Sequence, residues 1–412
     1  MRQSAARKPK PAPTGNSVVT ISTRGAARLC AGHVWVYRSD LLNPAEAHAG
    51  AVLDVAEERG RVLGTALYSS ASVIALRLIS RHAIPEGGVV AQLIPERIRA
   101  AIEYRRQMVR DSDAYRVIFS EGDGLPGLIV DRYNDIASVQ VLTQAFDRAD
   151  FRQAILDRLA AELPVATIVE RVDERIRALE QLPPAESRVL LQHEPAGEPR
   201  TATQITVNGV CFAYNAFSGQ KTGAFLDQRE NYAAVARYAH GEALDCFCYQ
   251  GGFALHLART CSAVTGVDSS RPALEVAEQN AALNHCEIEW IEANAFDLLK
   301  DYAAAGRQYD TIVLDPPPFA KNRTSLPGAL RGHKELNLRA LKMLRRGGVL
   351  ASCSCSYHVS EADFVDVLAS AAADAGRTVR ILETRGAARD HPAVITIPET
   401  AYLKCIVCQV SS

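Results

Sequence analysis

Three patterns of apolar and polar positions follow one another along the chain. From Val18 to Ser80 short runs alternate at period two ("VVTIST", "GHVWVY", "AVLDVAEERGRVLGTALYS", "SVIALRLIS"), the repeat of half-buried strands. "EERGR" divides two of these runs and reads as a hairpin turn. The pattern predicts a small all-β module. After "PEGGV" the period lengthens in "PERIRAAIEYRRQMV", which predicts a helix with a basic polar face. Between Ile94 and Pro199, "YRVIFS", "GLIVDRY" and "ASVQVLT" predict strands, "DFRQAILDRLAAEL" a helix and "ATIVER" another strand. The first two are joined by "EGDGLPG", whose glycines suit a tight connection with unusual backbone angles. "LPPAESR" to "HEPAGEPR" reads as a polar excursion.

From Thr201 strands and helices take turns. "EALDCFC" is followed by helix "FALHLARTC", "AVTGVDSS" by "RPALEVAEQNAALN", and "EIEWIEAN" precedes strand "YDTIVLDPP". "KELNLRALKML" leads through "RRGG" into "VLASCSC"; a helix over 361–375 and strands "TVRILET" and "AYLKCIVCQV" complete the series. Such alternation predicts an α/β, doubly wound parallel sheet that binds ligands at the carboxyl ends of its strands. The division expected is a disordered tail over 1–16, a small β-barrel domain over 17–93, an α+β middle domain over 94–199 and the α/β domain over 200–412.

Composition adds limits. The 412 residues are 48% hydrophobic and 23% charged, an ordinary globular balance with room for two or three domains. With a formal net charge of -1, any hold on nucleic acid must come from local basic patches. No run approaches the roughly 18 apolar residues of a membrane helix. "MRQSAARKPKPAPTGNS" has no apolar core, so it is not a secretory signal. It lacks acids, as transit peptides do, but its lysines, prolines and missing periodicity suit a disordered tail better. The 10 cysteines sit in apolar segments without framework spacing, which predicts free thiols in a reducing, cytoplasmic compartment. The single CxxC, Cys405 to Cys408, falls in a strand where residues three apart face opposite sides. No metal site is expected.

Candidate chemistry gathers at strand ends. "DCFCYQGGF" places a glycine pair between strand and helix without the GxGxxG spacing of a dinucleotide site. Asp268 ends the next strand, where a carboxylate can accept both hydroxyls of a ribose. A nucleoside without a pyrophosphate fits, and S-adenosylmethionine is the common one; a tight strand-to-helix turn is the plain alternative. In "LDPPPFA", Asp315 closes a buried run and the prolines remove backbone donors. The carbonyls of Pro316 and Pro317 are then available to the amino group of a planar base, on which Phe319 can stack. The alternative is a rigid strand-ending turn.

In "GGVLASCSC", Val349, Ala351, Cys353 and Cys355 share one face of a strand. Cys353 lies within it and reads as core; Cys355 falls where the strand runs out. A thiolate there can add to C6 of a pyrimidine, making C5 nucleophilic toward a methyl donor. Nearby cations would help it ionise, and Lys321, Arg323, Arg331 and Lys334 are near in sequence. A second packed cysteine is the alternative.

These segments together resemble the RlmI-type 23S ribosomal RNA 5-methylcytosine methyltransferases, in which a PUA domain and a middle domain precede a class I methyltransferase domain. The resemblance spans nearly the whole chain through "GHVWVYRSD", "EGDGLPGLIVDRY", "GQKTGAFLDQREN", "CFCYQGGFAL", "VDSS", "LDPPPFAKN", "RGHKELN", "SCS" and "DHPAVITIPETAYLK". It implies Cys355 as nucleophile and Cys353 as core. It implies an S-adenosylmethionine pocket from Gln228, Arg229, Phe247, Tyr249, Gly251, Asp268, Asn294 and Asp315. Glu399 resembles the base of related 5-methyluridine enzymes, and Asp315 is its rival. Pro316, Pro317 and Phe319 would meet the substrate base. Gln250, where threonine is usual, Asn294, where an acid is, and Pro318, a third consecutive proline, depart from the family pattern. The PUA-like domain implies a grip on RNA through Arg24, Arg28 and Arg38, continued by Arg105 and Arg106, against the alternative of a solvated charged face. The implied partner is large-subunit ribosomal RNA, naked or partly assembled, with no membrane; a homodimer stays open. Two other readings remain: a sister enzyme methylating a base nitrogen such as guanine N7, and an RNA-binding assembly factor without catalysis.

Overall fold

The computed structural model describes residues 14–43, 46–193, 198–218, 223–320 and 322–411. The first sheet has five strands in the order Val18–Ile21, Val52–Glu57, Val62–Tyr68, Ile74–Ser80, Trp35–Tyr37. "EERGR" is a hairpin connection with Gly60 at φ 80°, as its spacing predicts. The module is not all-β, however: Thr23–Cys30 is a helix. Ser22 caps it by accepting from the Gly25 amide at 3.2 Å, and Ala26 and Leu29 bury its inner face. Eight residues interrupted by a glycine give too short a periodic signal to read. Most of the tail expected over 1–16 lies outside the described residues. Asn16 is held against the sheet, its Nδ2 donating to Asp54 at 3.1 Å and to the Ile84 carbonyl at 2.8 Å.

The second sheet runs Arg188–Gln192, Thr167–Glu170, Ile136–Val141, Leu128–Tyr133, Ala114–Phe119. Its edge strand Arg188–Gln192 lies inside the stretch that reads as a polar excursion. No residue of that strand is buried, so its sequence carries no apolar alternation. "EGDGLPG" connects the last two strands with Gly124 at φ 68° and Gly127 at φ 88°. The basic helix Ile94–Met108 differs from expectation at Arg105, which is 1% exposed. Its guanidinium grips Asp123, with Nη2–Oδ2 at 2.8 Å, and donates to the carbonyls of Arg116 (3.0 Å) and Asp390 (2.7 Å). That cation is structural and cannot face a phosphate. Arg38 likewise spends Nη2 on the carbonyls of Ser69 and Ser72, both at 2.8 Å. Arg24 and Arg28 pair with buried Asp40 at 2.7 and 2.9 Å, and Arg106 stays half exposed beside Glu103.

A hairpin, Ala202–Val207 with Val210–Asn215, leads into the third sheet. We label the seven strands of that sheet β1 (Glu242–Cys246), β2 (Ala263–Asp268), β3 (Glu289–Glu292), β4 (Tyr309–Leu314), β5 (Leu344–Ser354), β6 (Val379–Arg385) and β7 (Lys404–Val410). Their order is 3-2-1-4-5-7-6. The first five are parallel; β7 lies antiparallel between β5 and β6, so the sheet is mixed where alternation alone predicts a parallel one. Helices α1 (Arg229–Ala236), α2 (Gly252–Leu257) and α3 (Arg271–Leu283) cover one face. The other carries α4 (Ala295–Ala304), α5 (Leu326–Met343) and α6 (Glu361–Ala375). Leu350 packs with Phe364 and Leu336 on the second face, while Ala351, Cys353 and Val407 pack with Phe253 on the first. "RRGG" falls inside β5 at a register shift, with Gly347 at φ 85°. Strand order reverses between β1 and β4, and that switch point opens a crevice at the strands' carboxyl ends. Among the described residues no helix is long and apolar enough to cross a membrane.

Candidate active site

A cavity of about 580 Å³ occupies this crevice, within the range of small-molecule sites. Its floor is the turn after β1, where Phe247 (φ 65°) and Tyr249 (φ 48°) adopt left-handed angles and Gly251 follows at φ 88°. Such angles in non-glycine residues persist only where the surroundings enforce them. Here the Cys248 amide donates to the Val267 carbonyl at 3.0 Å and the Tyr249 amide to Asp268 Oδ2 at 2.9 Å. Asp268 Oδ1 accepts from the Ser270 amide, also at 2.9 Å. A carboxylate has about four acceptor positions, so two hydroxyls can still be received. The glycine pair divides its work differently from the sequence reading. Gly251 lies outside the cavity lining and passes under Trp290, where a Cβ would come within 2.9 Å of the ring. Gly252 lines the cavity and packs on Tyr232.

Gln228 and Asp315 meet from opposite sides. The 3-10 turn Leu226–Gln228 runs into α1 and buries Gln228, whose Nε2 donates to Asp315 Oδ1 at 3.0 Å. Asn231 Nδ2 donates to Gln228 Oε1 at 2.7 Å, which fixes the amide's orientation. Arg229 also lines the cavity, yet its Nη2 pairs with Asp390 at 3.3 Å and Glu230 at 3.4 Å. Its buried Nε has no hydrogen-bond partner among the described residues. Burial alone would raise the Asp390 carboxyl, but His391, Arg229 and the Arg116 amide (2.9 Å) hold it well below the usual carboxylate range.

The two thiols of "SCSC" part company. Cys353 is 0% exposed inside β5, in the core with Cys405. Burial holds its thiol well above the ordinary range. Cys355 stands just beyond the strand, partly exposed on the cavity, and its Sγ approaches the Pro316 carbonyl at 3.8 Å. Asp315, Pro316, Pro317, Phe247 and Tyr249 line the same space. Besides Gly251, three expected residues do not. Phe319 turns inward, its ring 4.8 Å from His333 and 5.9 Å from Phe296, where the sequence suggests a stacking platform. Asn294 caps α4, its Oδ1 accepting from the Phe296 amide at 2.9 Å. Glu399 sits at the seam with the first domain, 3.1 Å from His33 Nε2. Among the described residues, none of the thiol's expected cations lines the cavity. Lys334 pairs with Asp374 at 2.7 Å, Arg323 and Arg331 are exposed, and Lys321 lies outside the described residues.

Sequence reading missed three residues here. Asp245, buried in β1, accepts from the Ala254 amide at 2.8 Å; burial holds its carboxyl well above the usual range, with Asp315 adding to it. An acid inside the apolar run "EALDCFC" was the available signal. Tyr402 lines the cavity and donates to Asp227 Oδ2 at 2.6 Å. Lys404 lies buried beside it at the start of β7. Neither had a local signal. Among the described residues no cluster suits a metal.

A PUA-like domain family matches residues 19–81, and an S-adenosylmethionine-dependent methyltransferase family matches residues 190–406. The chain is 37% identical over 387 residues to the ribosomal RNA large subunit methyltransferase I of Shewanella denitrificans, covering 92% of this chain and 95% of that one. The Escherichia coli K12 protein of the same name is 34% identical over 386 residues, with 92% and 95% covered. Among solved structures, SMU.776, described as a candidate methyltransferase complexed with SAH, superposes with a TM-score of 0.80 at 19% identity, over 96% of this chain and all of that one. The cavity, the sheet order and the length of these matches agree: the chain belongs to the ribosomal RNA large subunit methyltransferase I family, as an S-adenosylmethionine-dependent methyltransferase with a PUA-like domain at its start.

Proposed function

We propose that the protein methylates C5 of a cytosine in 23S ribosomal RNA of the large subunit, in the cytoplasm, through a covalent adduct to Cys355. The observation that carries this reading is the position of Cys355. Cys355 shares the cavity with Asp268 and Asp315, beside the Pro316 carbonyl, and is partly exposed there, whereas Cys248, the other thiol on the lining, is buried. The relatives' names supply the RNA.

The residues fit the cofactor. Asp268 would accept from the ribose hydroxyls, Phe247 and Tyr249 would flank the adenosine, and the unpartnered Arg229 Nε would donate to the carboxylate end. S-adenosylmethionine, when bound, supplies an electrophilic methyl group. C5 of cytosine is too weak a nucleophile to take it unaided. Cys355 thiolate forms a bond to C6, and the electron pair reaches C5, which takes the methyl. Asp315 then accepts the C5 proton, the C5–C6 double bond re-forms, and the sulfur leaves. Asp315 suits this step better than Glu399 because it lies in the cavity, whereas Glu399 is engaged by His33. Pro316 and Pro317 wall the site where the base would enter.

RNA carrying 5-fluorocytosine cannot complete the elimination. Incubated with S-adenosylmethionine, the wild type and Cys353→Ala should form a denaturant-resistant protein–RNA adduct, and Cys355→Ala should not. Methylation of unmodified RNA without any adduct would overturn the covalent reading and favour a base nitrogen. Failure to bind S-adenosylmethionine would favour an assembly factor.

A further inference from the structure

A thiol that must ionise near neutral pH needs a cation, and of those close in sequence Lys334 is paired with Asp374. The structure supplies one from the far side of the sheet. Lys404 is 6% exposed. It pairs across the β5–β7 ladder with Ser354, the residue before Cys355. Its Nζ donates to the carbonyl of Ser356, the residue after Cys355, at 2.6 Å, and to the carbonyl of Tyr402 at 2.8 Å. The ammonium is therefore held against the short stretch that presents the thiol, with one of its three N–H groups not spent on those carbonyls.

We infer that Lys404 is the built-in counter-cation of the Cys355 thiolate, a positioning residue that keeps the sulfur anionic and ready to attack. The proton released by the thiol passes to solvent. This inference rests on the covalent reading above.

Burying an ammonium is unfavourable, and among the described residues no carboxylate forms an ion pair with Lys404. Burial pulls its pKa down to about 8, opposed by the charges of Cys355 and Glu361. Two described groups close to Lys404 are not cations. His333 on α5 is pushed down to about 4 by burial, with Lys404 adding to it, and is neutral. Tyr402 is held neutral by burial and by Asp227. Asp315 and Asp227 on the cavity side are acids.

The test follows alkylation of Cys355 by iodoacetamide across pH 6–10, read at the Cys355 peptide by mass spectrometry, with neither RNA nor methyl transfer. A nearby opposite charge shifts a pKa by roughly one to three units. Lys404→Gln should therefore alkylate about tenfold more slowly than wild type at pH 7 and reach the same plateau at high pH. Lys404→Arg, which keeps the charge, should stay within about threefold of wild type. An unchanged profile in folded Lys404→Gln overturns the inference. If Lys404→Gln does not fold, the arginine variant decides. The wild-type profile should carry an inflection near pH 8 where Lys404 discharges, and Lys404→Arg should lack it; identical profiles overturn the inference. The fluorinated-RNA adduct is scored separately. A shifted profile without an adduct leaves the ion pair standing and removes the covalent reading, and an adduct with an unshifted profile does the reverse.

Discussion

Replacing Asp390 with asparagine asks how much the buried ionic knot behind the cavity holds. Asp390 is 0% exposed and Arg229 2%. The carboxylate takes the Arg229 guanidinium at 3.3 Å and the Arg116 amide at 2.9 Å, while the Asp390 carbonyl takes Arg105 at 2.7 Å. The asparagine amide keeps the shape and one acceptor but leaves the Arg229 charge buried, with Glu230 alone at 3.4 Å. Removing one partner of a buried pair costs about 3–5 kcal/mol. Since Glu230 retains part of the pairing, about 3 kcal/mol is expected, a fall in Tm of roughly 6–12 °C for a domain of about 200 residues. Removing the other charge as well, in D390N/R229M, should recover at least about 1.5 kcal/mol of that loss as a coupling energy. The pH dependence has a definite sign. Asp390 is held below its unfolded value, so its contribution is complete above about pH 4 and is lost as pH falls through the folded value. The wild-type advantage over D390N should narrow below about pH 4. Urea unfolding at several pH values measures all of this. A D390N variant within about 0.5 kcal/mol of wild type at pH 7 would refute the reasoning, as would an advantage that does not shrink in acid.

Two further outcomes follow from the cavity. Asp315→Asn should stall after methyl transfer and accumulate covalent adduct on RNA with ordinary cytosine, seen as a shifted band in denaturing gels; a variant that turns over normally would remove Asp315 as proton acceptor. Asp268→Ala should weaken S-adenosylmethionine binding by more than about 100-fold by titration calorimetry, since two hydrogen bonds to a charged acceptor are worth roughly 3–6 kcal/mol, and unaltered affinity would put the ribose elsewhere.

What could be read from the chain was set by periodicity and by strand ends. Position along the strand separates Cys353 from Cys355, because one lies within β5 and the other past its last residue, and the same rule places Asp268 and Asp315 at carboxyl ends. Parity puts Cys405 and Cys408 on opposite faces, where they pack into different clusters. The unread parts depend on partners distant in sequence. Lys404 comes against the Ser356 carbonyl, next to Cys355, because β7 inserts antiparallel beside β5, and nothing local to either strand specifies that neighbour. Arg105 looked like part of a solvent-facing basic stripe because Asp123 and the Asp390 carbonyl, which enclose it, come from other segments. Phe319 read as a platform because its turn was legible but the ring's direction, toward His333, was not.

The stretch between β6 and β7 touches all three sheets' domains. Ala388 bonds the Asp227 carbonyl at 2.8 Å, Arg389 offers its carbonyl to Tyr104 at 3.2 Å, Thr396 packs under Gly32, and Glu399 meets His33. It is a strap that joins the PUA-like domain to the cavity wall beside Cys355. Were the N-terminal domain to hold RNA, such a strap would make the molecule a ruler, with the span from anchor to Cys355 set by the protein and a folded RNA accepted when its own geometry matched that span. Target choice would then respond to inserting or deleting a base pair between anchor and target far more than to changing which base pairs lie there.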